Sequence, residues 1–145
     1  MKITPQYVLP DIQGVILCED VRQEINGVNS LIGVVNVIPA PQVPFGIFKL
    51  CLWTRWINGI GKFKQTSRLL APDEKKVLAE TAIEFELKSL EHHATNVHFF
   101  GGLQFQEYGS HAVEIRLNDQ LKLRFPLSVI QVNRPQQVQQ PSSNG

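Results

Sequence analysis

Cys18, Glu19 and Asp20 stand side by side within ILCEDVRQEINGVNSLIGV, residues 16 to 34. A thiol beside two carboxylates could ligate a metal or move protons. The other groups able to do such chemistry are Cys51 and the histidines His92, His93, His98 and His111. Zinc needs three or four converging ligands, and its sequence motifs have characteristic spacings. None of those spacings occurs here. His92 and His93 are adjacent, so on a strand they point apart, and His98 falls on the outward row of its strand. Calcium needs several carboxylates and carbonyls around one ion. Asp11, Asp20, Asp73 and Asp119 are scattered singly, with no DxDxDG pattern.

Neither cysteine follows a signature of thiol catalysis, and each lies within a strand pattern, where a structural role is expected. There is no GxSxG, no P-loop and no GxGxxG ahead of a helix. Gly59-Ile60-Gly61 reads as a hairpin tip and not a phosphate cradle. The expectation is therefore no enzyme, no bound metal and no cofactor. A small metal-dependent enzyme built on His92, His93, His98 and His111 is the weaker alternative.

The elements that would carry these groups are strands. Phe48, Leu50, Leu52, Thr54 and Trp56 share one face of an alternating run, and Lys49, Cys51, Trp53 and Arg55 share the other. Asn58-Gly59 follows as a hairpin signal, because both residues tolerate positive φ. Lys62 to Leu70 reads as the next strand, ended by the turn Ala71-Pro72-Asp73-Glu74. Val77 to Leu87 returns, with Ile83, Phe85 and Leu87 facing inward. Thr95, Val97, Phe99, Leu103 and Phe105 form a further inward row, interrupted at Gly101-Gly102 by a bulge or a close backbone approach. Val113, Ile115 and Leu117 pair across Asn118-Asp119-Gln120 with Leu121, Leu123, Phe125, Leu127 and Val129. Pro126 suits an edge or a bulge.

Asn26-Gly27 makes residues 16–34 a hairpin, and a bulge near Glu19-Asp20 would explain why Glu19 lands on the apolar side. Ile38 to Phe45, with Pro39, Pro41 and Pro44, reads as an extended crossover. These short strands and turns predict an all-β protein: one antiparallel β-sandwich of about seven or eight strands. Phe48, Leu50, Leu52, Trp56, Ile83, Phe85, Val97, Phe99, Val113, Ile115, Leu123 and Phe125 are its expected core.

The whole chain agrees with this reading. Its 145 residues suit one domain, placed at 1–132, with a disordered C-terminal tail at 133–145. With 14 Lys plus Arg against 13 Asp plus Glu, net charge gives no reason to expect nucleic acid or a membrane surface. Pro5, Gln6, Pro10 and Asp11 break up any apolar leader, and no run approaches a membrane span. A cytoplasmic location with reduced cysteines is expected.

Several segments together, ILCEDVRQEINGVNSLIGV, FKLCLWTRWING, LLAPDEKKVLAET and EYGSHAVEIRLNDQLKLRFPLSV, resemble a family of small bacterial proteins of unknown function. Leu17 to Arg22, Asn26-Gly27 and Leu31-Ile32-Gly33 carry the resemblance most specifically. It implies a β-sandwich of immunoglobulin-like or C2-like character and no assigned activity. The chain departs from the family pattern at Tyr108-Gly109-Ser110-His111, where Pro-Gly and an aromatic would be expected.

The remaining feature is Trp53, on the polar side of its strand between Lys49, Cys51 and Arg55. An exposed tryptophan beside cations is a composition enriched in interfaces. Lys62 and Lys64, on the expected neighbouring strand, would extend the patch. Lys49, Trp53, Arg55, Lys62 and Lys64 are thus the candidate partner-binding residues of a non-catalytic binding module for a protein. A structural component of a larger assembly, pairing through a sheet edge, is the other alternative.

Overall fold

The computed structural model describes residues 6–133, which form nine strands and no helix. The expected tail lies, apart from Asn133, outside the described residues. In chain order the strands are β1 (Asp11–Gln23), β2 (Asn29–Val34), β3 (Val37–Ala40), β4 (Phe45–Ile57), β5 (Gly61–Leu70), β6 (Val77–Leu87), β7 (Ala94–Phe105), β8 (Gly109–Leu117) and β9 (Gln120–Gln131). One sheet has the order β2-β1-β4-β7 and the other β3-β9-β8-β5-β6. Every named pair is antiparallel except β3 with β9. The two sheets enclose a shared core that includes Leu17, Leu50, Leu52, Trp56, Phe63, Leu69, Phe105, Ile115 and Leu127.

The turn residues act through their backbone freedom. At the β1–β2 turn the Glu24 N–H donates to the Val28 carbonyl at 2.8 Å and the Gly27 N–H to the Glu24 carbonyl at 2.9 Å. Between β8 and β9, Asn118 and Asp119 hold φ of 48° and 69°, the double positive φ that matches a two-residue hairpin to strand twist. The ninth strand, beyond the expected seven or eight, is β3. Pro39 is tolerated there because, among the described residues, β3 lies at the sheet edge, paired only with Ser128–Gln131 of β9.

Three expectations are corrected. Asn58-Gly59 does not make a hairpin: β4 and β5 belong to different sheets, so this turn carries the chain across the core. The bulge in β1 is not at Glu19-Asp20, where the β1–β2 register runs on from Asp20↔Ile32 to Gln23↔Asn29. It lies between Ile12 and Gly14. Third, the expected core does not hold throughout. Leu50, Leu52, Trp56, Val113 and Ile115 are buried, while Phe85, Leu123 and Phe125 are half-buried against the core. Val97 is half-buried, Ile83 is exposed, and Phe48 and Phe99 are 92% and 55% exposed.

For Phe48, Val97 and Phe99 the reason is a matched break in alternation. On β4 both Ile47 and Leu50 pack on the core, leaving Phe48 and Lys49 between them outside it. On β7 both Phe100 and Leu103 are buried, leaving Gly101 and Gly102 between them exposed. The register across this point is continuous, Ile47↔Leu103 then Lys49↔Gly101, so both strands change face together. Gly102 makes this possible with φ of 62°. Upstream of the break the inward row of β7 is therefore Ala94, Asn96, His98 and Phe100, the opposite parity to the one expected.

A polar cluster occupies part of the interior. The Gln65 side-chain oxygen on β5 accepts from Trp56 Nε1 at 2.8 Å, Asn96 Nδ2 at 2.8 Å and Thr54 Oγ1 at 2.9 Å. Its amide nitrogen donates to Ser67 Oγ at 2.9 Å. All five side chains are buried, so the cluster joins β4 and β7 of one sheet to β5 of the other with its main donors satisfied.

Candidate functional site

The outward face of the four-stranded sheet is built by register. Across it Val34, Cys18, Cys51 and Phe99 stand opposite one another on β2, β1, β4 and β7. The next row is Ile16, Trp53 and Val97. On the other side Ile32 stands opposite Asp20 and Lys49 opposite Gly101, the two pairs joined by the Lys49–Asp20 ion pair. An antiparallel sheet with one solvated face normally alternates apolar and polar residues across its two faces. Here the middle of the outer face is apolar as well.

Cations border it. Lys49 Nζ lies 4.8 Å from the centre of the Phe99 ring and donates to Asp20 Oδ1 at 2.7 Å. That bond holds the Asp20 carboxyl below its ordinary pKa and the Lys49 ammonium above its own. Arg55 lies over the Trp53 ring, 5.0 Å from its centre. The ring also rests on Gly14, where a Cβ would come within 3.1 Å of Trp53 Cζ3. Trp53 is consequently half-buried, and its indole N–H is covered with no acceptor among the described residues. The prominent aromatic groups are Phe48 and Phe99, both placed in the core by strict alternation. The Gly-Gly pair was the sequence signal that could have found them.

Cys18 and Cys51 are fully buried free thiols in the central row. Burial pushes both above the ordinary thiol range, which opposes thiolate formation and hence nucleophilic or ligand chemistry. Glu19 remains exposed on the inner-facing side of β1, where the carboxyl lies against Gly33. A Cβ on Gly33 would come within 2.7 Å of Glu19 Cδ, and Gly33 holds φ of 66°. The Cys18-Glu19-Asp20 cluster therefore divides: Cys18 and Asp20 face one way and Glu19 the other.

Lys62 and Lys64 do not join Lys49, Trp53 and Arg55. They lie on β5 in the other sheet, opposite Glu86 and Glu84 of β6, which offsets their charge. The same outer face holds Glu114, 3.7 Å from Arg68, 3.6 Å from Arg116 and 3.5 Å from Arg124. One outer face is thus charge-balanced, and the other is apolar with a cationic border.

The histidines do not assemble. His98 was expected to face outward but is 4% exposed on the inner face, where burial lowers its pKa to about 4. His111 is buried edge-on to Phe105, with Nδ1 3.1 Å from the Gly109 carbonyl. His92 accepts at Nδ1 from the Lys88 N–H in a turn, and His93 follows it. Among the described residues no three His, Cys, Asp or Glu side chains gather in a way that could hold a metal ion. Nor does any described helix have the length and apolarity to cross a membrane. At the point of departure from the family pattern, the Tyr108 hydroxyl donates to the Ala40 carbonyl at 3.1 Å, tying the start of β8 to the distant β3.

Nine strands in two facing sheets, with one unusually apolar outer face, define an all-β protein whose notable surface is a sheet face. The chain belongs to a family of unknown function, DUF6941, whose model matches residues 13–130. No curated protein matches it.

Proposed function

We propose that the protein is a non-catalytic interaction module that docks a protein partner on the outer face of the β2-β1-β4-β7 sheet. The observation that carries this reading is the exposure of Phe48 and Phe99 on the sheet that also carries the Lys49–Phe99 and Arg55–Trp53 contacts. Exposed aromatic side chains next to cations supply the apolar anchors and the charge that interfaces use. Lys49 is partly offset by Asp20, whereas Arg55 has no carboxylate partner among the described residues. The partner that fits is apolar where it meets Phe48 and Phe99 and acidic where it meets Arg55.

Two further readings belong to this proposal. The scaffold is a sandwich of immunoglobulin-like or C2-like kind, supported by two sheets about one core. The location is cytoplasmic, supported by two free buried cysteines.

The test compares capture of partners from native cell extract by the unmodified chain and by Phe48→Ser and Phe99→Ser. Both variants should keep the thermal midpoint and lose a common set of captured proteins, with affinity lower by tenfold or more. Capture unchanged in both variants would refute the assignment.

A further inference from the structure

A second surface, meeting the outer face along Ile16 and Val34, lies where the two sheets fail to close. On its side away from β4, β1 pairs with β2 only over Cys18–Gln23. A single further bond runs from the Val35 N–H to the Leu17 carbonyl. On its side away from β8, β9 pairs with β3 only over Ser128–Gln131. Among the described residues, Asp11–Ile16 of β1 and Leu121–Leu127 of β9 are therefore open strand edges.

The two edges flank one groove. Two adjoining hollows of about 480 and 290 Å³ share Val15 and run between β1 and β9. Their apolar lining includes Ile12, Val15, Leu17, Leu123, Phe125 and Leu127. Ile12, Val15, Leu123 and Phe125 pack on the core yet are only half-buried. The open side of the sandwich accounts for that. Hollows of this size admit the side chains of one strand and not a folded domain. Among the described residues, the hollow between Val15–Leu17 and Phe125–Leu127 has no charged residue in its lining, and Asp11 and Lys122 stand only in the other.

We propose that this groove takes an extended, uncharged segment of a partner protein, with aliphatic side chains at alternate positions, as an added strand between β1 and β9. Every open edge presents unpaired N–H and C=O groups, which a peptide main chain satisfies and a small apolar ligand does not. The period-2 geometry of such a segment sends alternate side chains into the core-facing hollows. Six residues of β1 offer about 20 Å of edge, at roughly 3.3 Å per residue. A second copy of the chain is a poor donor, because its described strands are already committed to its own sheets. The added strand would join the two sheets along their open side.

The experiment selects a displayed library of random octapeptides against the full chain, then maps binding by amide hydrogen exchange. The expected peptides carry aliphatic residues at i, i+2 and i+4. They should slow exchange by tenfold or more at those amides of residues 11–16 and 121–127 that point to the open side, Pro126 having none. They should bind Val15→Asp, and the rim variant Asn36→Arg, at least tenfold more weakly, with folding checked by circular dichroism. Phe48→Ser should bind them unchanged, which separates this groove from the outer face.

Three results would overturn the proposal. One is that no peptide is selected. Another is that selected peptides leave both amide stretches unprotected. The third is that those amides already exchange as slowly as β4 in the free protein, which would mean the chain fills its own groove.

Discussion

Trp56 Nε1 and Gln65 Oε1 lie 2.8 Å apart, on opposite sheets, with both residues fully buried. The sheets are thus joined by a hydrogen bond as well as by apolar packing. The same oxygen also serves Thr54 and Asn96. Gln65→Leu removes one acceptor and leaves several buried donors without a partner, at about 1–3 kcal/mol for each unsatisfied group. The expected loss is about 3 kcal/mol or more in urea unfolding. In a double-mutant cycle with Trp56→Phe the two losses should fall short of additivity, since both remove the same bond. Additive losses would show that the bond contributes nothing to joining the sheets.

His98 gives the protein a pH dependence with a definite sign. Its pKa is about 4 in the folded chain, against an ordinary 6.5, because burial disfavours the imidazolium. As pH falls the unfolded chain takes up the proton first, so unfolding gains. The contribution of neutral His98 is complete above about pH 6.5 and is lost progressively as pH drops toward 4. From a shift of this size it is at most about 3 kcal/mol. Denaturant midpoints measured from pH 7 to pH 4 should fall more steeply for the unmodified chain than for His98→Leu. Parallel curves would contradict the burial of neutral His98.

Phe85 and Phe48 should behave oppositely, although alternation assigns both to the core. Phe85 stacks on Trp56, with ring centres 5.7 Å apart, and lies 5.6 Å from Phe63. Phe85→Ala is expected to cost about 3 kcal/mol, the low end for a truncated core phenylalanine because Phe85 is only half-buried. Phe48→Ala removes a ring that is 92% exposed and should change stability by less than about 0.5 kcal/mol. Chemical denaturation of the two variants side by side decides the matter. Equal losses would mean that Phe48 is core after all.

Cys18 and Cys51 should remain unreactive in the folded protein. Both are fully buried and both thiols are held in their neutral form by burial. An aromatic disulfide reagent is expected to label neither at neutral pH within minutes, and to label both as soon as urea unfolds the chain. Rapid labelling of the native protein would show that the outer face opens around them.

The strands themselves were legible in the sequence, and the reason is local. Alternation over Val113–Leu117 and Leu121–Val129 follows from the two-residue period of an extended chain packed on one face. The turns at Asn26-Gly27 and Asn118-Asp119 follow from residues that accept positive φ. Absence of the usual catalytic motifs was equally readable, because it needs only residue types and spacing. Two other outcomes were decided by tertiary structure. Asn58-Gly59 can close a hairpin or turn a corner between sheets, and only the pairing of β4 with β1 and β7 settles which. Parity holds only until one residue breaks it. At Gly102, with φ of 62° between the Ile47↔Leu103 and Lys49↔Gly101 pairs, parity changes, so that Phe48 and Phe99 lie at the surface and His98 in the interior. A strand's period fixes which side chains share a face. Which face is inside depends on packing against residues far away in the chain.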